Sequence, residues 1–444
     1  MKKRIGRTLS FWRVYGTVAL ARLLFRKLFG ILRGQSLFNP LDSQLDPIVE
    51  AAIVHQDLAQ RMLSPSHVVA AQFPALQPLT TYLVATAGRR RVSVVTDSIS
   101  KGSLFGGVGT ALLFAAQLAL RKNAVLRIIT RYESALARDI AELLSVYGVK
   151  MQEEIQFSFA ALGSNSNEID IYEDEIFVTT SWWSTTATSS SVSSKRIIYL
   201  LQEDERMFYA YGDERLKCEQ ALSRTDIRYL INTKLLFDHF ALTSLPNIAQ
   251  HGMWFEPAFP ASLFYPRARS SKRRFFFYAR PGNERNLFYF GIQVIEAALA
   301  ANILDPNVWE IYLVGNKLPP LVFGNGILPI KYENLSWSDY ADLAGTIDLA
   351  LSLMYTPHPS YPPLDMAASG AVVVTNRLMN KTSLSAYSDN ILCADLNIDS
   401  LLAAIQSGVA LSASPIRQKN FESAGLQRSW EKAFAPILNE LEAM

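Results

Sequence analysis

Cysteine is almost absent from this 444-residue chain, and the two present, Cys218 and Cys393, stand far apart with no histidine at metal-ligand spacing. They read as two buried structural thiols in a reducing compartment. Histidine is equally sparse. His55, His67, His239, His251 and His358 form no pair at helical spacing, so no protein-bound metal is expected. No stretch fits a P-loop or a GxGxxG fingerprint, which argues against ATP hydrolysis and against a simple dehydrogenase. No repeat of solenoid period is visible. Acidic residues are missing before Asp42, whereas residues 1–33 carry Lys2, Lys3, Arg4, Arg7, Arg13, Arg22, Arg26, Lys27 and Arg33. Long apolar runs are missing there too: the helix-forming stretch 9–32 has no uncharged run beyond Val14 to Ala21, far short of the roughly 20 residues a spanning helix needs.

What is present points to an ordered chain of two parts. Hydrophobic residues make up 49% and charged ones 19%, slightly more apolar than an average globular protein. The length exceeds what one core usually organises, so two domains are expected. The net charge of +3 resides in the tail, and the remainder is mildly acidic, which leaves no footprint for a nucleic acid. Within the tail, Arg22, Arg26 and Arg33 fall on one side of a helix, while Trp12, Tyr15, Leu23, Leu24, Leu28 and Phe29 supply apolar bulk. That pattern fits a helix lying among the headgroups of an anionic leaflet, or an ordinary first helix packed on the domain. A targeting peptide would want a cleaner apolar core and a small-residue cleavage site. Membrane contact is the expectation, with the protein cytoplasmic and peripheral on the inner face of the cytoplasmic membrane.

From Arg90 onward, short β-rich runs alternate with helical ones. Strands are predicted over 91–97, 125–130, 175–180, 196–201 and 227–232, with helices over 111–120 and 133–147. Segment 255–274 carries three prolines and a basic cluster and reads as a connector. The alternation then restarts, with strands over 275–280, 309–315, 347–353 and 371–376. Helices are expected over 286–301 and 337–344, from 363 to 369, and finally over roughly 416–441. Short continuous apolar runs separated by helices indicate parallel sheets covered on both faces. The expected fold class is therefore α/β, with two Rossmann-like doubly wound parallel-sheet domains facing across a cleft. Their bounds are 41–255, completed by a helix 425–444 that crosses back, and 256–424, after a basic segment 1–40. Ligands of such folds bind at the carboxyl ends of the strands.

Several residues at those ends could carry chemistry. Gly106, Gly107 and Gly109 lie between a strand and a helix, where glycine lets backbone approach a phosphate and the helix start offers free N–H groups. Such loops also serve plain strand-to-helix packing. Arg280 and Arg285 directly follow the first strand of the second domain, and two guanidinium groups there can pair with a diphosphate by fork-shaped hydrogen bonds. Surface solvation, or pairing with Glu284, is the competing reading. In the proline-fixed segment 354–376, Asp365 is expected in the first turn of a helix ended by Gly370. There it could accept from a ribose diol or simply face the helix dipole. His358 could donate to a phosphate or a sugar hydroxyl, or be structural. After a strand of the first domain come Gln202, Glu203, Asp204 and Glu205. Glu203 and Glu205 are candidates for binding an acceptor hydroxyl or acting as a base, against the alternative of helix capping. Trp182 and Trp183 could stack on a sugar ring or sit in a core.

Together these segments resemble the retaining GT-B glycosyltransferases of glycosyltransferase family 4. Within that family they are similar to bacterial rhamnosyltransferases that use dTDP-L-rhamnose in building surface polysaccharides. The glycine loop 106–109 looks like the family's loop near the donor diphosphate, and Arg280 and Arg285 match its diphosphate-gripping basic pair. Val314, Gly315 and Asn316 resemble its second-strand turn. Tyr332 to Leu335, including Asn334, falls where its loop meets the nucleotide base. Residues 352–376 are similar to its proline-rich donor motif, which carries His358, Ser360 and Tyr361, with Asp365 where a ribose-binding glutamate is usual. Segments 180–186 and 199–214 also resemble this branch. One departure stands out: of two glutamates separated by seven residues in the wider family, the first falls here on Pro357 and the second on Asp365.

The resemblance implies a hexosyltransferase that moves a sugar, rhamnose from dTDP-L-rhamnose or a related donor, to a glycan hydroxyl. The first domain would take the lipid-linked or oligosaccharide acceptor and the second the nucleotide sugar. No metal cofactor is required if the arginines neutralise the leaving diphosphate. The replaced glutamate motivates a rival reading, a non-catalytic nucleotide-sugar or glycan-binding subunit of a polysaccharide assembly complex. An epimerase of related architecture is a third reading.

Overall fold

A computed structural model of the protein describes residues 64–85, 88–100, 104–163 and 167–442. The basic segment 1–33, and all of 1–40 assigned above to a membrane surface, lie outside the described residues. The chain divides into two compact units, Met1–Gln77 and Pro78–Met444. Within the first, helix α1 (Pro65–Gln72) starts on a proline, and the Ser64 side chain accepts a hydrogen bond from His67 N.

The second unit opens with β1 (Thr81–Leu83) and β2 (Arg91–Thr96), the latter buried along its whole length. Then come α2 (Gly109–Arg121), β3 (Val125–Thr130), α3 (Ala137–Val146), β4 (Gln156–Phe159) and β5 (Ile169–Ile171). The first half is completed by β6 (Ile176–Thr179), α4 (Trp182–Ser189), β7 (Ile197–Leu201), α5 (Asp213–Leu222), β8 (Arg228–Asn232), α6 (Lys234–Ala241), α7 (Pro246–Gln250) and β9 (Gly252–Phe255). Seven of these strands form a parallel sheet in the order β4-β3-β2-β6-β7-β8-β9, while β1 and β5 pair separately. The winding reverses between β2 and β6.

Residues 256–272 lead into the second half. It comprises β10 (Arg273–Ala279), α8 (Phe288–Ala300), β11 (Trp309–Gly315), β12 (Ile330–Glu333), α9 (Trp337–Ala344) and β13 (Leu349–Ser352). These are followed by α10 (Tyr361–Ala368), β14 (Val372–Asn376), β15 (Ile391–Ala394), α11 (Ile398–Ala413), α12 (Ile416–Glu422) and α13 (Trp430–Glu442). Its six-stranded parallel sheet runs β12-β11-β10-β13-β14-β15, and the winding reverses between β10 and β13. The chain is thus α/β with two doubly wound parallel sheets.

Strand periodicity explains how each sheet is covered. Along β10, Phe275 and Phe277 point to the layer of α8 and α11, while Phe276 points to that of α9 and α10. The runs read as continuously apolar because both faces need filling. In the first half, α13 joins α2 over one face of the sheet: Phe434 packs edge-on against Phe114 at 5.3 Å and against Phe255 at 5.0 Å. The final helix expected over 416–441 is in fact two. Between α12 and α13 the chain straightens, and the Gln427 carbonyl accepts from Phe259 N at 2.7 Å. The helix expected from 133 begins only at Ala137.

Gly291 marks where α8 comes nearest to the sheet. A Cβ there would lie 2.1 Å from Phe277 Cζ, so the phenyl ring occupies the space of a methyl. We expect Gly291→Ala to destabilise the protein by about 1–3 kcal/mol through overpacking. Gly282→Ala, with nothing within 4 Å of its Cβ, serves as the control. Equal urea midpoints for the two variants would contradict this view of the packing.

Candidate active site

In a doubly wound sheet the crevice opens where the winding reverses, beyond the carboxyl ends of the strands. Here the loops leaving those ends from the two sheets meet each other. The Tyr361 hydroxyl, at the start of α10, lies 2.6 Å from Thr110 Oγ1 in α2 and accepts from Asn232 Nδ2 at 2.9 Å. The Thr356 hydroxyl donates to Glu203, which follows β7. Arg285 reaches the same carboxylate at 3.5 Å and lies 4.1 Å over the Phe208 ring. Asn380 donates to the Leu235 carbonyl at 2.8 Å. Of the candidate residues, Tyr361, Glu203 and Arg285 therefore share one seam.

The glycine loop lies against this seam. Gly106 has φ +82°, a left-handed conformation natural to glycine, and a Cβ there would sit 3.9 Å from the Tyr361 ring. Gly107 faces Gln202, whose amide donates to the Gly107 carbonyl. Gly109 is buried at the first position of α2.

Arg280 and Arg285 leave the end of β10 at its switch point. Arg280 is half-buried, and among the described residues its guanidinium meets only the Tyr278 hydroxyl, at 3.5 Å. The turn that carries Arg285 is held by the Asn283 side chain, which accepts Arg285 N at 3.2 Å, while Tyr355 N donates to the Arg285 carbonyl at 2.7 Å. Leu287 then takes φ +50°, Ser360 takes φ +69° and Thr233 takes φ +79°, each just before a helix whose start faces the seam. Positive φ is costly for residues with a Cβ, above all for a β-branched one, and such strain gathers where chemistry fixes the backbone.

His358 is 2% exposed, and its Nδ1 accepts from Ser360 N at 2.9 Å. Burial and the nearby charges of Lys381 and Arg285 lower its pKa to about 3, so the ring is neutral. With Nδ1 accepting, the proton sits on Nε2, which has no partner among the described residues. It is a donor ready for a ligand oxygen. The Ser360 hydroxyl is buried and likewise unpartnered.

Other candidates are placed differently. Glu205 is 4% exposed, and its carboxyl accepts from Trp182 N at 2.8 Å at the start of α4, so the residue expected to meet an acceptor caps a helix instead. Asp365 is the fifth residue of α10 rather than in its first turn; it is 6% exposed and accepts from the Tyr340 hydroxyl at 3.1 Å. Burial pushes each carboxyl up to about 8. Gly315 ends β11, where a Cβ would fall 1.6 Å from the Ala279 carbonyl, so only glycine allows the two strand ends to converge. Tyr332 lies in β12, 40% exposed and stacked on Tyr312 with ring centres 6.1 Å apart. Asn334 follows at φ +55°, donating from its backbone to the Gly315 carbonyl at 3.2 Å. Trp183 is tied down, its Nε1 donating to both oxygens of Asp97 at 2.9 and 3.0 Å.

Sequence reasoning passed over Thr110, Asn232, Thr356 and Lys381. None belongs to a recognisable spacing, and each matters only through a partner more than a hundred residues away or through its burial. Among the described residues, no group of three or more His, Cys, Asp or Glu side chains could hold a metal ion, and no helix is long and apolar enough to cross a membrane.

Comparison with known proteins follows the same division. Residues 91–234 match the family described as WsaF, N-terminal domain, and residues 273–406 match WsaF, C-terminal domain. Each half is thus similar to one WsaF domain. The O-antigen biosynthesis protein RfbC of Myxococcus xanthus is 31% identical over 273 residues, which is 60% of this chain and 20% of that protein. The WsaF-like chain thus spans about a fifth of the length of this curated relative. Among solved structures, WaaG, a glycosyltransferase involved in lipopolysaccharide biosynthesis, aligns with TM-score 0.55 at 11% identity, covering 80% of this chain and 100% of WaaG. Sucrose-phosphate synthase from Thermosynechococcus elongatus aligns with TM-score 0.54 at 13% identity, with the same shares. HepE of Anabaena, solved in complex with UDP and glucose, aligns with TM-score 0.52 at 11% identity, covering 80% of this chain and 99% of HepE. At these identities the likeness is one of fold, and that fold is GT-B.

The buried carboxyls give the WsaF-like pair a testable pH dependence. Asp365 and Glu205 hold their protons up to about pH 8, whereas an unfolded chain releases them near the ordinary carboxyl range. Each therefore contributes stability that is complete below about pH 4 and is lost as pH climbs through about 8. We expect the melting temperature to decline across that window, and Asp365→Asn to flatten the decline. A decline of unchanged slope in the variant would contradict the assignment.

Proposed function

We propose that the protein is a glycosyltransferase that moves a sugar from a nucleoside diphosphate donor to a glycan hydroxyl in cell-surface polysaccharide synthesis. The observation that carries this reading is the position of Arg280 and Arg285 directly after β10 at its switch point, where Arg285 reaches Glu203 in a loop of the other sheet. Negative charge develops on the departing diphosphate, and cations fixed beforehand at that place lower the barrier electrostatically. The neutral His358 donates from Nε2 to a phosphate or sugar oxygen. Retention follows if the acceptor enters on the leaving-group face, and closure of the seam keeps water from the donor.

The donor we propose is dTDP-L-rhamnose, on the resemblance of residues 352–376 to the rhamnosyltransferase donor motif. The name of the Myxococcus relative favours an O-antigen-like acceptor. The basic segment 1–33 would hold the enzyme at an anionic leaflet beside a lipid-linked acceptor, which liposome pelleting with and without that segment tests. Pro357, standing where the family carries its first glutamate, favours one second reading: a subunit that binds the nucleotide sugar without transferring it.

The test is to incubate purified full-length protein with radiolabelled dTDP-L-rhamnose or UDP-glucose and a panel of glycan acceptors. Transfer is expected from one donor. Binding of a donor without transfer across the panel would favour the subunit reading. Arg280→Ala should lower kcat/KM by about 10²–10³-fold, the cost of losing one charge-stabilising group. Because Arg280 has a single long contact among the described residues, the variant's melting temperature should stay that of the wild type. An unchanged kcat/KM would overturn the role given to the arginines.

A further inference from the structure

Lys381 is wholly buried, an unusual place for an ammonium. Its backbone is fixed by a tight reversal after β14, with Lys381 N donating to the Leu378 carbonyl at 2.9 Å and Leu378 N to the Lys381 carbonyl at 3.1 Å. The side chain is thereby aimed at the seam. An ammonium carries three donors, and this one has a single hydrogen-bond acceptor among the described residues, the Met354 carbonyl at 3.5 Å. A buried charge so thinly satisfied is costly unless an anion is supplied.

The anion in this structure is Glu203, reaching across from the other sheet. Its carboxylate receives the Thr356 hydroxyl, lies 3.5 Å from Arg285 and interacts electrostatically with Lys381. Around the same point, and among the described residues, His358 Nε2 is a buried atom without a hydrogen-bond partner, and Arg285 Nη1 is buried with no hydrogen bond beyond its 3.5 Å ion pair to Glu203. One carboxylate thus serves a pocket with more donors than it can engage. A phosphate group, with three oxygens and a larger charge, matches that surplus better.

Resting on the glycosyltransferase reading above, we propose that Lys381 is a third cationic ligand of the donor's diphosphate, and that Glu203 is its internal counter-anion, displaced when the diphosphate arrives. The two halves are then coupled to the ligand: the same cations hold either the first sheet's carboxylate or the donor.

The two residues should respond in opposite directions, which separates this arrangement from a merely structural role. By calorimetry on the full chain, Lys381→Met should weaken dTDP binding by about tenfold or more, and Lys381→Arg should restore it to within about threefold. Thymidine binding, followed by ligand-observed NMR, should change by less than about twofold, since the nucleoside offers Lys381 no phosphate. Glu203→Gln should tighten dTDP by about threefold, because a competing charge is gone. The inference is overturned if Lys381→Met binds dTDP like the wild type, or if it weakens thymidine as much as dTDP. Should Lys381→Met fail to fold, Glu203→Gln decides alone, and unchanged or weaker dTDP binding overturns the proposal. A wild-type protein that binds neither dTDP nor UDP would instead remove the diphosphate reading on which it rests.

Discussion

A carboxylate of one sheet lodged among cations of the other is the interaction on which the rest of the arrangement turns. Glu203 belongs to the loop after β7, and its partners Arg285, Thr356 and Lys381 follow β10, β13 and β14. Burial lifts its carboxyl above the ordinary range, and the two cations and the hydroxyl oppose that lift. The side chain keeps 16% of its surface accessible, so its desolvation is partial. Such a contact holds two halves in register only while nothing better occupies the cations. The Tyr361 hydroxyl between Thr110 and Asn232 supplies an uncharged tie beside it.

That meeting point follows from how parallel sheets are built. Every strand of both sheets must be followed by a crossover, so every loop that can carry chemistry leaves from the same edge. Where the winding reverses, two neighbouring crossovers diverge and leave a crevice. Arg280 and Arg285 leave from one such point, and Asp97, held by Trp183, leaves from the other. The positive-φ residues Leu287, Ser360 and Thr233 lie on these loops, where backbone strain is tolerated because the surrounding contacts fix the chain. Ionisable groups deeper in the second half are neutral by burial: His358 without a proton to spare on Nδ1, Asp365 with its proton retained. Arg285 and Lys381 keep their charges facing the seam.

Much of this could be read from the chain itself, for identifiable reasons. The runs 91–97, 125–130, 175–180, 196–201, 227–232, 275–280, 309–315, 347–353 and 371–376 all contain strands, because strands buried on both faces are written as unbroken apolar stretches. The strands that escaped notice are only three or four residues long: β1 and β5 pair with each other, and β4, β9, β12 and β15 form the edges of the two larger sheets. Arg280 and Arg285 could be singled out because a strand end announces itself in sequence. Lys381 could not: nothing around it marks it off from a surface lysine, and only the fold shows that the chain buries it. Glu205 and Glu203 look equivalent in the sequence, yet one caps α4 and the other reaches the cations. That difference depends on where Trp182 and Arg285 lie, which no local pattern encodes.

The account depends on a diphosphate lying between the two sheets at the end of β10, and a crystal structure of the protein with bound dTDP tests this most directly. The expected result has diphosphate oxygens within about 3 Å of the Arg280 and Arg285 guanidinium groups, on the side that faces the first sheet. A diphosphate bound elsewhere, with both arginines directed away from it, would contradict the account.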